Sequence, residues 1–155
     1  MCVSFFIVGD IMNYEYYMNF ALKEAKKAYV KDDVPVGCII VKNNKIIAKA
    51  YNKKNSKKIS LYHAEILAII KACKYLNTFI LDNCTMYVTL KPCEMCMNAI
   101  AESRIKNVKY LISSKYEKNL KSNYDYIVCD LCDDNQFVED YKIMLSNFFR
   151  NIRGK

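Results

Sequence analysis

Two short segments of the sequence carry side chains that could bind a metal ion and catalyse a reaction. His63 and Glu65 stand two residues apart at the start of one helix-like stretch, and Pro92, Cys93 and Cys96 open another. Cysteines three residues apart on a helix lie on nearly the same face, and the positive N-terminal end of the helix favours their thiolate form. The spacing therefore predicts that Cys93 and Cys96 can bind one metal ion together.

A third ligand is available from His63, the only histidine in the chain. A His/Cys/Cys set suits Zn²⁺ and leaves a fourth position for water, which is typical of a catalytic zinc site. Glu65 would lie beside that water, where a carboxylate can take a proton and return it to a leaving amine. A His-x-Glu followed by Pro-Cys-x-x-Cys is the signature of zinc-dependent nucleobase deaminases. We therefore expect one Zn²⁺ per chain and hydrolytic deamination; a structural zinc site or a coincidence of buried thiols is the alternative.

The remaining cysteines have no similar composite pattern around them. Cys129 and Cys132 are three apart, but they fall at the end of a predicted strand, where such residues face opposite sides. We expect no second metal site there. Cys38, Cys73 and Cys84 lie in apolar runs and are predicted to be core residues. Because no secretory signal precedes these eight cysteines, they indicate reduced thiols in a cytoplasmic protein.

The composition of the chain predicts a single folded domain. Its 155 residues are 53% hydrophobic and include only 3 Gly and 2 Pro, which excludes a disordered or fibrous protein. No stretch approaches the roughly 20 apolar residues of a membrane helix, so we expect no membrane association. Residues 1–12 are predicted to be a disordered or loosely docked extension, and residues 13–155 the domain. The net charge of +8 favours a polyanionic partner such as nucleic acid.

Hydrophobic periodicity and turn residues predict alternating helices and strands. A fold of this kind is α/β, with a mixed sheet of about five strands and helices on both faces. The polar residues 52–60 between the second strand and the second helix are predicted to form a loop, and their lysine pairs fit a solvated surface better than a binding patch. The predicted helices cover residues 14–30, 63–76, 92–103 and 135–153, and the strands residues 36–42, 45–51, 85–90, 108–112 and, less regularly, 126–131.

Several of these segments resemble the cytidine deaminase-like superfamily, and within it the tRNA-specific adenosine deaminases. The resemblance runs from about Phe20 to Arg150. It implies a three-layer α/β/α fold, a homodimer, and conversion of adenosine to inosine at the wobble position of a tRNA anticodon. The motifs that carry it are Val34-Pro35-Val36-Gly37, Tyr51-Asn52, His63-Ala64-Glu65-Ile66, Tyr87-Val88-Thr89-Leu90, Pro92-Cys93-Glu94-Met95-Cys96, Ser103-Arg104-Ile105 and Leu145-Ser146-Asn147-Phe148-Phe149-Arg150.

The resemblance also implies a role for individual residues. Asn52 and the backbone of Ala64 would hold the flipped base, while Glu65 would shuttle protons. The zinc ligands would be His63, Cys93 and Cys96, and the residues that meet the anticodon arm would be Phe148, Phe149 and Arg150.

The chain departs from the family pattern at two places. Lys91 stands where the family usually has Glu, and residues 113–125 replace a longer glycine-containing stretch with lysines and tyrosines. Both changes bear on RNA recognition rather than on the type of reaction. Two other functions remain open: a deaminase of a free base or nucleotide such as guanine or cytosine, and a zinc-stabilised RNA-binding protein without turnover.

Overall fold

The structure is a computed structural model of the chain. It describes the backbone of residues 3–114, 128–131 and 135–154, and the side chains of residues 13–114 and 136–154. Most of the departing stretch at residues 113–125 lies outside these ranges, as do Cys132 and the side chain of Cys129. The elements in chain order are α1 Val3–Val30, β1 Gly37–Lys42, β2 Lys45–Tyr51, α2 Lys54–Lys57, α3 Ala64–Leu76, β3 Cys84–Leu90, α4 Glu94–Glu102, β4 Asn107–Ile112, β5 Val128–Leu131 and α5 Asn135–Arg153.

Every predicted helix and strand is present, but two stretches differ from the prediction. Helix α1 begins at Val3 rather than at residue 14, so the backbone of residues 3–12 is helical and not disordered, while the loosely docked alternative for this extension stays a prediction. No proline interrupts this stretch, and the helix continues through it. The second difference is α2, a single helical turn inside the predicted loop 52–60.

The sheet has five strands in the order β2-β1-β3-β4-β5. Strand β1 is antiparallel to both β2 and β3, whereas β3, β4 and β5 run parallel to one another. The hairpin between β1 and β2 turns at Asn43 and Asn44, which both have positive φ, at 49° and 59°. Asparagine tolerates this left-handed conformation, and two such residues in succession match the twist of the flanking strands. The predicted mixed sheet and its hairpin are therefore confirmed.

Helices cover both faces of the sheet. Alternate residues of a strand point to opposite sides, so one strand contributes to the cores on both faces. Cys38 and Ile40 of β1 face a core with Ala68 and Ala72 of α3. Ile39 of β1 instead faces a second core, which includes residues of α1 and Tyr141 of α5. The three-layer α/β/α arrangement is thus confirmed.

Gly37 allows α1 to approach the first strand closely. A Cβ atom at this position would lie 1.9 Å from the carbonyl oxygen of Ala21 and 2.4 Å from the backbone nitrogen of Ala25. Both contacts are with backbone atoms of α1, which cannot rotate away. Only glycine therefore fits where β1 begins. This close packing fixes α1 against β1, the strand that directly follows residues 34–36.

None of the helices in the described part of the chain combines the length and the apolar character needed to cross a bilayer.

Candidate active site

The N-termini of α3 and α4 present the three predicted metal ligands. His63 is the N-cap residue of α3 and Cys93 the N-cap residue of α4, and both have extended backbone conformations. Cys96 lies in the first turn of α4 and is fully buried. Pro92 precedes this cap, so the helix begins two residues after the predicted start at residue 92, and its ring holds the residue before it in an extended conformation, which suits the turn from β3 into α4. The two helix ends therefore bring together residues that are 30 to 33 positions apart in sequence.

The three side chains are close enough to share one metal ion. His63 Nδ1 lies 3.7 Å from Cys93 Sγ and 3.5 Å from Cys96 Sγ, and all three atoms lie within 4.8 Å of one another. Zinc bonds of about 2.0–2.3 Å in tetrahedral geometry place ligand atoms about 3.5–3.8 Å apart. One imidazole and two thiols at these separations fit Zn²⁺. Within the described residues, no other group of three or more potential ligands meets this criterion.

The three ligand side chains differ in how readily they lose a proton. A hydrogen bond with Cys96, aided by His63, lowers the pKa of Cys93 to about 4. The same bond, together with burial, raises the pKa of Cys96, and a hydrogen bond with Cys93 raises the pKa of His63. Cys93 is thus poised as a thiolate, the form of cysteine that binds metals.

Glu65 lies in the first turn of α3, two residues after His63, and only 4% of its surface is exposed. Burial raises the pKa of this carboxyl to about 7, because the charged form loses its water. A carboxyl with a pKa near neutral can both accept and donate a proton at physiological pH. The side chain therefore has the properties expected of a proton shuttle.

Asn52 and Ala64, the predicted base contacts, are both buried. The Asn52 Nδ2 group donates to the carbonyl of Val34 at 3.2 Å, and its Oδ1 accepts from the backbone N–H of Lys54 at 3.0 Å. The side chain thus joins the loop after β2 to the segment before β1. Ala64 is the first residue of α3 and lies between His63 and Glu65.

The predicted RNA contacts on α5 do not share one environment. Phe148 is only 4% exposed and packs near Tyr29 of α1, so it belongs to the interior. Phe149 is 45% exposed, and Arg150 is exposed as well. Consecutive helix residues point in different directions, which explains the separation. Of the three, only Phe149 and Arg150 are on the surface.

The ammonium group of Lys91, where the family usually has Glu, lies 5.7 Å from the centroid of the Tyr110 ring.

Asp33 organises the loop that leads to His63, a role that its sequence context did not indicate. Its buried Oδ1 accepts hydrogen bonds from the backbone N–H groups of Asn55 at 2.6 Å and Ser56 at 3.1 Å. These bonds satisfy two donors of α2. No local pattern could indicate this role, because the bonds reach 22 and 23 residues along the chain.

A buried hydrogen-bond chain lies under the segments that carry Asn52 and Cys93. The N–H of Gly37 donates to Thr89 Oγ1 at 3.2 Å, the Thr89 hydroxyl donates to Tyr141 Oη at 3.0 Å, and Tyr141 donates to the carbonyl of Pro35 at 2.8 Å. It links α5 to the start of β1 and the end of β3. No local pattern in the sequence predicts these contacts.

The chain is similar to known deaminases over most of its length. Residues 12–112 match the family model described as the cytidine and deoxycytidylate deaminase zinc-binding region. The tRNA-specific adenosine deaminase of Rickettsia bellii is 41% identical over 88% of this chain and 99% of its own length. The chain belongs to the tRNA-specific adenosine deaminase family. Another member of this family, from Aquifex aeolicus, is 40% identical over 92% of this chain and 98% of its own length.

Solved structures of two deaminases are similar to this chain. A structure from studies of A-to-I editing by tRNA:A34 deaminases has a TM-score of 0.67 and 31% identity, covering 76% of this chain and 95% of that chain. Guanine deaminase from Bacillus subtilis has a TM-score of 0.61 and 36% identity, covering 64% of each chain. The first match spans more of both chains than the second.

Proposed function

We propose that this protein is a zinc-dependent hydrolase that converts adenosine to inosine at the wobble position of a tRNA anticodon. One observation carries the proposal: His63, Cys93 and Cys96 form a zinc-compatible ligand set, with the buried Glu65 in the same helical turn as the histidine. The similarity to tRNA-specific adenosine deaminases over nearly their whole length supports the choice of substrate.

In the proposed reaction, water replaces the amino group of adenine and ammonia leaves. Zn²⁺ held by His63, Cys93 and Cys96 would activate the water for attack on the carbon that bears the amine. Glu65 would take one proton from the water and deliver it to a ring nitrogen, and would then carry the second proton, from the newly added hydroxyl, to the amine that leaves as ammonia. Its burial supports this role, because a carboxyl with a pKa near 7 can perform both halves of the transfer.

Asn52 and the backbone of Ala64 would hold the flipped base. Both polar ends of Asn52 already bond to the protein, but each retains capacity for a further bond, since an amide has two N–H groups and two oxygen lone pairs. The internal bonds would fix the orientation of the side chain before the base arrives. A base in an anticodon loop is nearly single-stranded, so extruding it costs little.

Phe149 and Arg150 are the proposed contacts with the anticodon arm. Their exposure supports the role, since an aromatic ring can stack on a base and a guanidinium can bind phosphate. The buried Phe148 would support the helix from beneath.

A second candidate function is deamination of a free base, which the similarity to guanine deaminase favours. It accounts less well for the net charge of +8, because a small substrate needs no extended basic surface.

We further propose that the protein is a cytoplasmic homodimer. The free thiols at Cys38, Cys73, Cys84, Cys93 and Cys96 support a reducing compartment. Exposed apolar side chains near the site support an interface between two copies.

Incubation with an anticodon stem-loop that carries adenosine at the first anticodon position tests the proposed activity. We expect inosine at that position alone, read by mass spectrometry of the digested RNA. The matched control is the same stem-loop with the adenosine moved to the stem. Ammonia release from free guanine or cytidine, with no inosine in the RNA, would instead establish the second candidate.

A further inference from the structure

Lysine side chains and aromatic rings gather around β2, an edge strand of the sheet. The ammonium groups lie 4.8–5.9 Å from ring centroids. Lys31 and Lys45 donate hydrogen bonds at 2.7 Å to the hydroxyls of Tyr51 and Tyr75, and the other ammonium groups are within the range of cation–π attraction. We call this surface the lysine edge. Its members are Lys23 and Lys49 over Phe20, Lys31 and Lys53 over Tyr51, and Lys45 over Tyr75.

The excess positive charge of the chain is concentrated in three segments that contribute to this surface, and five of their ten lysines are members of the lysine edge. Residues 20–31, 45–51 and 52–60 contain four, two and four lysines and one acidic residue, Glu24. Glu24 is buried and already paired with Lys27 at 2.6 Å. These segments therefore carry a net charge of +9, and because the chain carries +8, the remainder carries −1. Such an asymmetry is a local electrostatic feature rather than a general basic composition.

The lysine edge begins at the candidate active site. Tyr51 and Lys53 flank Asn52, and the backbone N–H of Lys53 donates to the carbonyl of Tyr62 at 2.9 Å, one residue before His63. From Tyr51, the seven residues of β2 run away from the site to Lys45, and the strand is about 20 Å long. Measured along the axis of a nucleic-acid duplex, this length corresponds to roughly six base pairs.

We propose that the lysine edge binds the phosphate backbone of the RNA helix next to the reacting loop. The inference rests on the proposed function, in which that helix is the anticodon stem. Neighbouring aromatic rings, and the hydroxyls of Tyr51 and Tyr75 that accept from Lys31 and Lys45, hold the ammonium groups in place without neutralising their charge, so they remain available to phosphate. Contacts of this kind orient the substrate without reading its sequence, and they leave recognition of the base to the active site.

The test compares two double variants in salt-dependent binding to the stem-loop. Lys23→Gln/Lys49→Gln removes the two exposed lysines that share the Phe20 ring, and Lys106→Gln/Lys142→Gln removes two exposed lysines elsewhere. We expect the edge variant to bind the stem-loop about 3- to 10-fold more weakly. The slope of log Kd against log salt should fall by about 1.4 to 1.8, which corresponds to two phosphate contacts. The control pair should keep the wild-type slope.

A second ligand, the single-stranded loop sequence without the stem, locates the contact. Binding of this oligonucleotide should be the same for the edge variant and the control pair, because the proposed contacts lie on the helix. A wild-type salt slope on the stem-loop would overturn the proposal. The proposal would also be overturned if the edge variant self-associated while its RNA binding stayed unchanged. The lysines would then serve to prevent β2 from pairing with a strand of another molecule. Absence of inosine after incubation of the stem-loop with wild-type protein would refute the proposed function. The slopes of log Kd against log salt would still decide whether the lysine edge binds RNA.

Discussion

At the scale of single residues, Glu65 lies in an environment unlike that of an ordinary surface carboxylate. The first turn of α3 buries it next to His63, and burial raises its pKa to about 7. The spacing His-x-Glu alone predicts that the residue lies near the metal. The structure adds that it lies out of solvent, which is what a proton shuttle near neutral pH requires.

Glu65→Gln should keep the shape of the side chain but lose the proton transfer. We expect deamination of the stem-loop to fall by about 10²- to 10⁴-fold, the usual contribution of general acid–base catalysis. Zinc content, measured by elemental analysis, should stay at one ion per chain because Glu65 is not one of the three ligands. The control is Glu102→Gln at the exposed end of α4. Near-normal turnover by Glu65→Gln would contradict the assignment.

At the scale of elements, the sequence predicts helices and strands well wherever a periodic pattern is bounded by a turn signal. The pair Asn43-Asn44 marks the hairpin, and β2 and α5 have the predicted bounds. The ligand set was predictable because His63, Cys93 and Cys96 follow a known spacing. The contacts of Tyr141 were not predictable, since its hydroxyl meets residues 52 and 106 positions away. Such pairings depend on how the layers stack, which no local pattern encodes.

Tyr141→Phe tests the contribution of the buried hydrogen-bond chain to stability. Loss of the hydroxyl leaves the Thr89 hydroxyl and the Pro35 carbonyl without this partner, so we expect the free energy of unfolding to fall by about 1–3 kcal/mol. Denaturant titration measures the change. Tyr14→Phe is the control, because Tyr14 lies in the same core and donates one longer bond, 3.3 Å, to the carbonyl of Tyr110. A larger loss in the control would show that the chain through Tyr141 adds little.

Gly37→Ala tests the close approach of α1 to β1. The added methyl group would collide with backbone atoms of Ala21 and Ala25 at 1.9 and 2.4 Å, so helix and strand must separate. We expect a loss of at least about 1–3 kcal/mol in the free energy of unfolding, as for overpacked cores. Gly154→Ala is the matched control, since its nearest atoms would be 3.8 and 3.9 Å away, and its effect should stay within about 0.5 kcal/mol. Equal thermal midpoints for the two variants would contradict this account.

At the scale of the whole molecule, the proposed homodimer predicts a measurable mass. Ile59 and Leu61 are exposed in the segment just before His63, and Ile70 is exposed on α3. Burial of such side chains against a second copy would stabilise the assembly. We expect sedimentation equilibrium to give the mass of two chains at micromolar concentration. Leu61→Glu should shift the population toward single chains, while Phe79→Glu, at an exposed position beyond the end of α3, provides the comparison. A wild-type protein that sediments as one chain would exclude the dimer.

The solitary imidazole of this chain has a practical consequence for spectroscopy. His63 is the only histidine, and it lies at the candidate metal centre. Protein grown with ¹⁵N-labelled histidine would therefore give nuclear magnetic resonance signals from one ring alone. Its two nitrogen frequencies would report tautomer and ligation state without any assignment work, and a titration with metal or RNA could be followed in a single two-line spectrum.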